Sequence, residues 1–304
     1  MLSAADLGRA LAAIGVDAPV RFDEVTGSTN ATALGLAAGG APEWTLVAAG
    51  HQTEGRGRLG RRWIDRAGGG SLLVSVVLRP PFDPEAAGLL PLLAGAAMAE
   101  AASALGPGGP PVRCEWPNDL VRDGGKVGGV LVEAVVEGSA IRHAVVGVGV
   151  NLEGPSEEPR ARGLGPVDAG ALLTAFLQRF AARYRSAPDV FGRAVPDAWR
   201  AVSATLGHPV EVERLDGSTA RGTAVDVDPR GALVVRTADG DVVVSSGEVR
   251  RAGAIGARRL LATTARGSVR SRWGSRHDCW SRGGASSSTC ARTGSRWPWP
   301  RWSP

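Results

Sequence analysis

Along the first two hundred residues, apolar positions recur with two different periods. Five segments have the spacing or the Ala/Leu-rich composition of helices, and they cover residues 3–15, 31–38, 84–105, 167–186 and 189–203. Six shorter apolar segments have the length and β-branched content of strands, and they cover 21–25, 44–49, 71–78, 112–116, 128–136 and 141–150. Several of these strands are joined by short turns, which favours antiparallel pairing. The pattern predicts an α+β fold with a mixed or antiparallel central sheet flanked by helices.

After residue 205 the apolar segments become shorter and alternate strictly with polar positions. Strand-like segments occupy 209–214, 219–227, 232–237 and 241–245. The separators between them, such as Asp216-Gly217 and Asp239-Gly240, have the composition of hairpin turns. This texture predicts a small SH3-like β-barrel over 205–252, following a larger domain over 1–204.

The last segment, 253–304, has neither a helical nor a strand period. It contains five of the nine tryptophans and two of the three cysteines, Cys279 and Cys290. It is either a basic, aromatic tail that binds nucleic acid or a non-native extension from a shifted reading frame. The many tryptophans, the free cysteines and the missing period favour the second interpretation. Under both interpretations we expect this segment to be disordered.

The positive charge of the chain is concentrated at this end. Residues 251–304 hold eleven arginines and one acidic residue, so that 24 basic and 29 acidic side chains remain in 1–250. The folded part is therefore mildly acidic, which removes the electrostatic argument for nucleic-acid binding. Asp6 and Arg9 interrupt the apolar start of the chain, which argues against a signal peptide. With three scattered cysteines, no disulfide framework is expected, and we predict a cytoplasmic protein without membrane association.

Lys126 is the only lysine among 35 basic side chains. It is retained either by chance on a surface loop or because a compact ammonium on a flexible stem is required there. The Gly124-Gly125 turn before it and the apolar segment 127–132 after it place the ammonium at the end of a strand, where it could neutralise a phosphate. A P-loop is excluded, because Leu120 and Val127 stand where that motif requires Gly and Ser or Thr.

A glycine- and arginine-rich loop follows the second predicted strand. Gly55-Arg56-Gly57-Arg58-Leu59-Gly60 has the spacing of a dinucleotide-binding motif, but no helix is predicted after it. With Arg61 and Arg62, the loop offers forked donors on a flexible backbone, as a clamp for phosphate or carboxylate would. Trp63 at its end could stack on a flat ring. A solvated basic loop is the alternative interpretation.

The segment Trp116-Pro117-Asn118-Asp119 directly follows a predicted strand. It can present polar side chains at the same sheet edge as Lys126, although a plain Asn-Asp turn has the same composition. His51, His143 and His208 have no metal-ligand spacing and no nucleophilic serine motif to serve. A zinc site and a hydrolase triad are therefore unsupported.

Together, six segments occur in the order and spacing of one family, and the chain closely resembles biotin–protein ligases. The segments are GSTN (27–30), QTEGRGRLGRRW (52–63), SLLVSVVL (71–78), WPND (116–119), KVGGVLVE (126–133) and GVGVNL (147–152). The resemblance covers about 1–250 and implies the class II synthetase-like fold of biotin and lipoate ligases, with 1–204 as the catalytic domain. It implies that ATP and Mg²⁺ convert biotin to biotinyl-5′-AMP, which then acylates a lysine of a biotin carboxyl carrier domain.

The resemblance also implies roles for individual residues. It makes Lys126 and Arg58 catalytic, and Asp119 a ligand of Mg²⁺. The expected biotin-binding residues are Ser28, Thr29, Asn30, Gln52, Gly55, Arg56, Gly57, Arg58, Lys126 and Gly129. The expected nucleotide-binding residues are Arg58, Arg61, Trp63, Asn118, Asp119, Lys126 and Asn151.

Among these residues, Ser28, Thr29 and Gln52 are expected to hydrogen-bond the ureido ring of biotin, and Gly129 to bring backbone close to it. Asn151 is expected to approach adenine. The arginine loop is expected to close over the ligand and exclude water, with Trp63 covering adenine. Lys126 would stabilise the charge that develops at the α-phosphate.

One position departs from the family pattern, because Glu115 stands where relatives usually have a lysine before WPND. This reversed charge leaves an inactive paralogue with a nucleic-acid-binding tail as one alternative. A lipoate or octanoate ligase of the same fold is another, although the arginine loop is typical of biotin ligases. Only about twenty-five residues precede GSTN, too few for a DNA-binding winged helix, so a repressor role is not expected. The expected partners are biotin, ATP and the carrier domain of an acyl-CoA carboxylase, with a homodimer of the chain as an option.

Overall fold

The computed structural model describes residues 2–65, 70–154, 160–186 and 188–251. The predictions for the tail 253–304 lie outside the described residues. Within the described part, the α-helices are α1 Ala4–Ala12, α2 Thr29–Ala38, α3 Leu89–Leu105, α4 Ala169–Tyr184 and α5 Pro188–Ala201. All five predicted helices are confirmed, with ends shifted by a few residues and with Pro84–Gly88 forming a 3-10 turn before α3.

Local chemistry explains where the first two helices begin. Ser3 accepts a hydrogen bond from the backbone N–H of Asp6, and the Asp6 carboxylate accepts one from the backbone N–H of Ser3. This reciprocal capping satisfies two amides that the helix itself leaves unpaired. Ser28 caps α2 in a similar way by accepting from the N–H of Ala31. The residues that begin α2 therefore have a fixed backbone, which matters for the site below.

A seven-stranded sheet forms the centre of the larger part of the chain. Its strands are β1 Val20–Thr26, β2 Leu46–Gln52, β3 Ser71–Leu78, β4 Arg113–Glu115, β5 Asp119–Arg122, β6 Gly125–Glu137 and β7 Ala140–Asn151. In space they follow the order β1-β2-β3-β7-β6-β5-β4. β1 and β2 are parallel and are connected through α2, whereas all other neighbours are antiparallel. The predicted mixed sheet flanked by helices is confirmed.

The two faces of this sheet are covered by different helices. Val47, Val77 and Val145 pack with Ala33 and Ala37 of α2 in a small cluster on one face. The opposite face contributes to the main core together with α1, α3 and α4. Because side chains alternate between the faces of a strand, consecutive residues of β2, β3 and β7 serve both layers, and β3 is buried along its whole length.

The helix α3 is the central helix of the main core. Its composition is apolar around the whole circumference, as is typical of a helix without a solvent face, and most of its residues are buried. Among the described helices, the segment Pro84–Leu105 is long and apolar enough to cross a membrane, but 67% of its most apolar stretch is buried inside the protein. Burial in a globular core accounts for this composition.

A second, five-stranded sheet follows the helices. Its strands are β8 Pro209–Glu213, β9 Thr219–Val227, β10 Leu233–Thr237, β11 Gly240–Val244 and β12 Glu248–Arg251. They are antiparallel in the order β11-β10-β9-β8-β12. The four predicted strands are confirmed, while closure into an SH3-like barrel stays a prediction. Trp116 joins the two sheets, because its indole Nε1 donates to the carbonyl of Gly231 at 3.1 Å. The domain boundaries at 204 and 252 also stay predictions.

Two strands were not predicted from the sequence. β5 has only four residues, begins inside the Asn-Asp segment and contains a register shift after Leu120. β12 has the sequence Glu-Val-Arg-Arg, with a single apolar side chain. Both segments form strands because they pair with neighbouring strands, β5 with β4 and β6 and β12 with β8. Neither therefore needs an alternating hydrophobic pattern of its own.

Candidate active site

A cavity of about 320 Å³ lies against the central sheet. It is bounded by the start of α2, the end of β2 with the loop after it, the middle of β6 and β7, and the start of β12. The predicted site residues that line it are Ser28, Thr29, Asn30, Gln52, Arg56, Gly57, Arg58, Arg61, Trp63, Asn118, Asp119, Lys126 and Gly129. Gly55 lies in the loop outside this lining, and Asn151 lies at the end of β7, where its carbonyl accepts from the N–H of Leu164. For all of these residues, the predicted contacts with ligand stay predictions.

One end of the cavity is built from the start of α2 and the end of β2. The backbone N–H and the hydroxyl of Thr29 both donate to Oε1 of Gln52, at 2.8 and 3.0 Å. Ser28, Thr29 and Asn30 are each only 4% exposed. Because Oε1 of Gln52 is held twice, its amide has one orientation, with the Nε2 donor at the opposite side. We refer to this group of residues, Ser28, Thr29, Asn30 and Gln52, as the ring end.

Buried polar groups behind the ring end were not predicted. Ser75, in the middle of the apolar strand β3, lies with its hydroxyl 2.7 Å from Oδ1 of Asn30 and 2.9 Å from the hydroxyl of Thr29. The Asn30 amide nitrogen donates to Oε2 of Glu133 at 2.9 Å. Gly147 faces this amide, and a Cβ atom there would collide with the Asn30 side chain. The sequence holds only two signals for these groups. Ser75 is a hydroxyl residue inside an apolar strand, and Gly147 is a glycine in a strand rich in valine.

The loop after β2 folds back on itself at the mouth of the cavity. The backbone N–H of Trp63 donates to the carbonyl of Gly55, and the backbone N–H of Gly57 donates to the carbonyl of Arg61. A Cβ at Gly55 would lie 2.5 Å from the Trp63 carbonyl, so glycine permits this close approach. Between these pairs the chain makes a short 3-10 turn at Arg58–Gly60. The predicted loop is thus confirmed, and its two arms pair as in a hairpin.

The loop arginines contact the end of the second sheet. Arg58 donates to Oδ1 of Asn118 at 3.3 Å and to the carbonyl of Gly247 at 3.5 Å, and Arg61 forms an ion pair with Glu248. Burial lowers the pKa of Arg58 from its ordinary value, an effect that the carboxylates of Glu248 and Asp119 oppose. The guanidinium remains charged at neutral pH because its ordinary pKa is far above it. Half-buried Arg58 is therefore a cation held at the cavity wall.

Lys126 lies at the start of β6. Its Nζ donates to Oδ1 of Asp119 at 2.7 Å and lies 5.9 Å from the centre of the Trp63 ring. The backbone of Lys126 is fixed as well, since its N–H donates to the carbonyl of Arg160 and its carbonyl accepts from Arg162, both at 2.7 Å. A cation on a fixed backbone beside a carboxylate and an aromatic ring is suited to stabilising a negatively charged ligand group.

Trp63 rests on a glycine of the sheet. A Cβ atom at Gly149 would lie 2.8 Å from the Cε2 and Cζ2 atoms of the ring, so any larger residue would displace it. The indole Nε1 is buried and has no hydrogen-bond partner among the described residues. Asn118 is held nearby, because its amide donates to the carbonyl of Val130 at 2.7 Å. The flat ring, the amide and the Lys126 ammonium thus share one end of the cavity, which we call the phosphate end.

Comparison with known proteins identifies the family. The model of the biotin/lipoate A/B protein ligase family matches residues 23–151, and that of the biotin protein ligase C-terminal domain matches 205–250. A biotin–[acetyl-CoA-carboxylase] ligase of Paracoccus denitrificans is 35% identical over 74% of this chain and 97% of its own length. One from Mycobacterium tuberculosis is 36% identical over 74% of this chain and 85% of its own length. This chain belongs to the biotin protein ligase family.

The architecture agrees with this membership. The solved biotin protein ligase of Aquifex aeolicus in complex with biotin and ATP superimposes with a TM-score of 0.64, at 24% identity, over 77% of this chain and 99% of that one. At this identity the likeness concerns the fold. The class II synthetase-like fold expected from the sequence motifs is confirmed for this ligase, and the two family matches coincide with its two sheets.

Three further features of the ligase site became visible only in three dimensions. Glu115, the departure from the family pattern, lines the cavity beside the phosphate end. Glu248 and Val249 bring the second sheet into the cavity wall. The side chain of Asp65 is buried, with its carboxylate 3.0 Å from Nδ1 of His51. Glu248 lies far from all of the motifs in the sequence, and Asp65 lies just outside one of them. The sequence pattern therefore gave no signal for either residue.

Proposed function

We propose that this ligase joins biotin to a lysine of a biotin carboxyl carrier domain in two steps, through biotinyl-5′-AMP. The observation that carries the proposal is the convergence of the ring end, the arginine loop and Lys126 on one cavity. A neutral, hydrogen-bonding end suits the ureido ring, and a cationic end suits a carboxylate beside a polyphosphate. The two ends of the cavity therefore match the two chemical ends of the adenylate.

In the first step, a carboxylate oxygen of biotin attacks the α-phosphorus of ATP. A new P–O bond forms, the bond to the bridging oxygen breaks, and pyrophosphate leaves with that electron pair. Lys126, held by Asp119, faces the negative charge that grows on the α-phosphate oxygens, and Arg58, held by the adjacent Asn118, supplies a second cation. A preorganised cation that meets charge developing in the transition state lowers the barrier by several kcal/mol.

In the second step, the neutral amine of the carrier lysine attacks the carbonyl carbon of the mixed anhydride. The amide bond forms, AMP leaves with the electrons of the acyl–oxygen bond, and the amine proton passes to solvent or to the leaving phosphate. Until then the anhydride must be protected from water. The arginine loop, which already closes part of the mouth through Arg58 and Arg61, is suited to this role.

Mg²⁺ is a proposed cofactor, with Asp119 as its protein ligand. The donor set fits the way this ion binds, because Mg²⁺ commonly uses one or two carboxylates together with substrate phosphates. Among the described residues there is no cluster of three or more His, Cys, Asp or Glu side chains that could hold an ion without substrate. Bound there, Mg²⁺ would supply charge neutralisation to the phosphates. The Asp119 carboxylate also holds Lys126 at 2.7 Å, so it would position ammonium and ion together.

The wider assignments remain part of this proposal. The carrier is a carboxyl carrier domain of an acyl-CoA carboxylase, the enzyme works in the cytoplasm as a monomer or homodimer, and it acts without DNA or membrane. The relatives in Paracoccus denitrificans and Mycobacterium tuberculosis, which are named for acetyl-CoA carboxylase, support the carrier class. The acidic balance of 1–250 supports the absence of DNA binding.

The test is a pyrophosphate-release assay of the purified chain with ATP and Mg²⁺, comparing biotin with lipoate. We expect release with biotin and hydroxylamine, which intercepts the adenylate, and none above background with lipoate. Release with lipoate alone would instead establish the lipoate-ligase alternative. No release with either acid, from a chain shown by circular dichroism to be folded, would support an inactive paralogue.

A further inference from the structure

Glu133 contacts both the ring end and the arginine loop and has no role in the proposed chemistry. It projects from β6, and its Oε2 accepts from Nδ2 of Asn30 at 2.9 Å. Its Oε1 lies 3.7 Å from Nη1 of Arg56 in the arginine loop. Glu133 lines the hollow beside that loop and is absent from the lining of the main cavity. One carboxylate outside the ligand cavity therefore contacts a ring-end residue and the loop.

The contact with Glu133 determines how the Asn30 amide is oriented. Carboxylate and carbonyl oxygens can only accept hydrogen bonds, so the amide nitrogen must face Glu133 and the carbonyl of Leu131, which lies 3.3 Å away. The amide oxygen then faces the Ser75 hydroxyl at 2.7 Å. A buried amide that turned over would meet two acceptors with its oxygen, which is costly in a low-dielectric site.

The same order of donors and acceptors continues across the ring end. The single Ser75 proton then points to Asn30, so the Ser75 oxygen can only accept from the Thr29 hydroxyl 2.9 Å away. That hydroxyl shares its one proton between Ser75 and Oε1 of Gln52, and the Thr29 backbone N–H donates to the same Oε1 at 2.8 Å. Asn30 therefore sets the direction of Ser75, and the Thr29 N–H sets that of Gln52. A ureido ring presents N–H donors and a carbonyl acceptor in a fixed arrangement, so its recognition depends on these directions.

We infer that Glu133 is a positioning residue, which sets the donor and acceptor directions of the ring end and tethers Arg56 of the loop to it. The inference rests on the proposed function, because it concerns the binding of biotin. Glu133 acts through Asn30 and Arg56 without touching substrate. The Glu133 carboxylate then affects both the recognition of the biotin ring, through Asn30, and the position of the loop, through Arg56. We expect the effect on ring recognition to be the larger of the two.

The first effect is tested with Glu133→Gln, which keeps the shape of the side chain but removes its charge and replaces one acceptor oxygen with a donor. We expect the KM for biotin to rise about tenfold, as the loss of one charge-assisted hydrogen bond would give. The KM for ATP and kcat should change less than about twofold, because the phosphate end is intact. Glu137→Gln is the matched control, on the same strand but paired with Arg142 away from the cavity, and should leave all constants unchanged.

The second effect is tested by the dissociation of biotinyl-5′-AMP from the enzyme. The side chains of Arg56 and Glu133 are 51% and 32% exposed. Partly exposed ion pairs of this kind contribute little to the free energy of binding or folding. We therefore expect Arg56→Gln to release the adenylate about two- to threefold faster. Glu133→Gln should release it about tenfold faster or more, because the adenylate carries the biotin ring and this variant also disturbs the ring end. Adding Arg56→Gln to Glu133→Gln should not raise the rate further, because the contact between the two residues is already broken.

The wild-type enzyme is assayed beside the variants, so that two failures can be told apart. No biotin-dependent pyrophosphate release by wild type would overturn the proposed function itself. An active wild type together with an unchanged biotin KM in Glu133→Gln would overturn the inference alone. Thermal unfolding verifies that the variant is folded. If it is not, Glu133→Asp replaces it, with an expected rise in biotin KM of about threefold, and an unchanged KM in that variant overturns the inference equally.

Discussion

The two ends of the cavity are built on opposite principles. At the ring end, Ser28, Thr29 and Asn30 are only 4% exposed. Thr29 and Asn30 are hydrogen-bonded to side chains on strands, and Ser28 caps α2. At the phosphate end, the Arg61 side chain is 67% exposed and Lys126 is 36% exposed. Under the proposed function, the first end would recognise a neutral group by short-range hydrogen bonds, and the second would meet charge with cations.

This difference follows from how the two kinds of interaction depend on distance. A neutral hydrogen bond is lost within a few tenths of an ångström or a modest change of angle, so its partners must be fixed before the ligand arrives. Charge–charge attraction declines more slowly with distance, so a cation can be carried on a loop that moves. The ring end therefore uses buried strands and a capped helix, while the phosphate end can use a loop.

The largest effect is expected at Lys126, the fixed cation of the phosphate end. Lys126→Arg keeps the charge, but a planar fork cannot occupy the position of an ammonium between Asp119 and the Trp63 ring. We expect kcat for adenylate formation to fall about 100-fold or more, measured by pyrophosphate release. Arg221→Lys, an exchange on the distant β9, is the control and should be neutral. Near-normal turnover of Lys126→Arg would remove Lys126 from the mechanism.

A smaller effect is expected when the support of the Trp63 ring is changed. Gly149→Ala adds a Cβ that would lie 2.8 Å from the ring, so the ring must shift away from the phosphate end. We expect the KM for ATP to rise about tenfold, with biotin binding by calorimetry less affected. Gly192→Ala, where an added Cβ meets nothing within 4 Å, is the control. Equal loss of biotin and ATP affinity would show that the two ends are not separable.

The buried hydroxyl of the ring end should give an effect on both stability and recognition. Ser75→Ala leaves the buried Oδ1 of Asn30 without its donor, which costs about 1–2 kcal/mol in the free energy of unfolding. The KM for biotin should rise about fivefold while the KM for ATP stays constant. Ser186→Ala removes a hydroxyl at the end of α4, far from the cavity, and serves as control. Unchanged biotin KM would contradict preorganisation through Ser75.

The smallest effect is expected at the exposed contact between the loop and the second sheet. Glu248→Gln removes the ion pair with Arg61, and such pairs contribute about 1 kcal/mol or less. We expect adenylate dissociation to accelerate about twofold at low salt and not measurably at high salt, where exposed charges are screened. Glu211→Gln, which breaks the pair with Arg221 on the same sheet, should not change the rate. A tenfold change would mean that the loop is fixed as firmly as the ring end.

The long periodic elements could be read from the sequence, because their pattern is local. β3 has the predicted bounds, Ser71–Leu78, and β9 likewise, Thr219–Val227. The five helices followed from Ala/Leu-rich or amphipathic spacing. β5 and β12 were missed, since four residues with little alternation form a strand only when a neighbour provides the pairing. Those two missed strands carry Asp119 and Glu248 into the site.

For the site, the sequence by itself determined the residue types that line the cavity: one lysine, a loop of glycines and arginines, and a short polar segment after a strand. These are recognisable because their chemistry is tied to local motifs. The tertiary structure alone decided what supports them. Ser75 and Glu133 reach Asn30 from 45 and 103 residues away in the chain, and Gly149 supports Trp63 from another strand. Such contacts depend on strand order and register, which a single sequence specifies only through the complete fold.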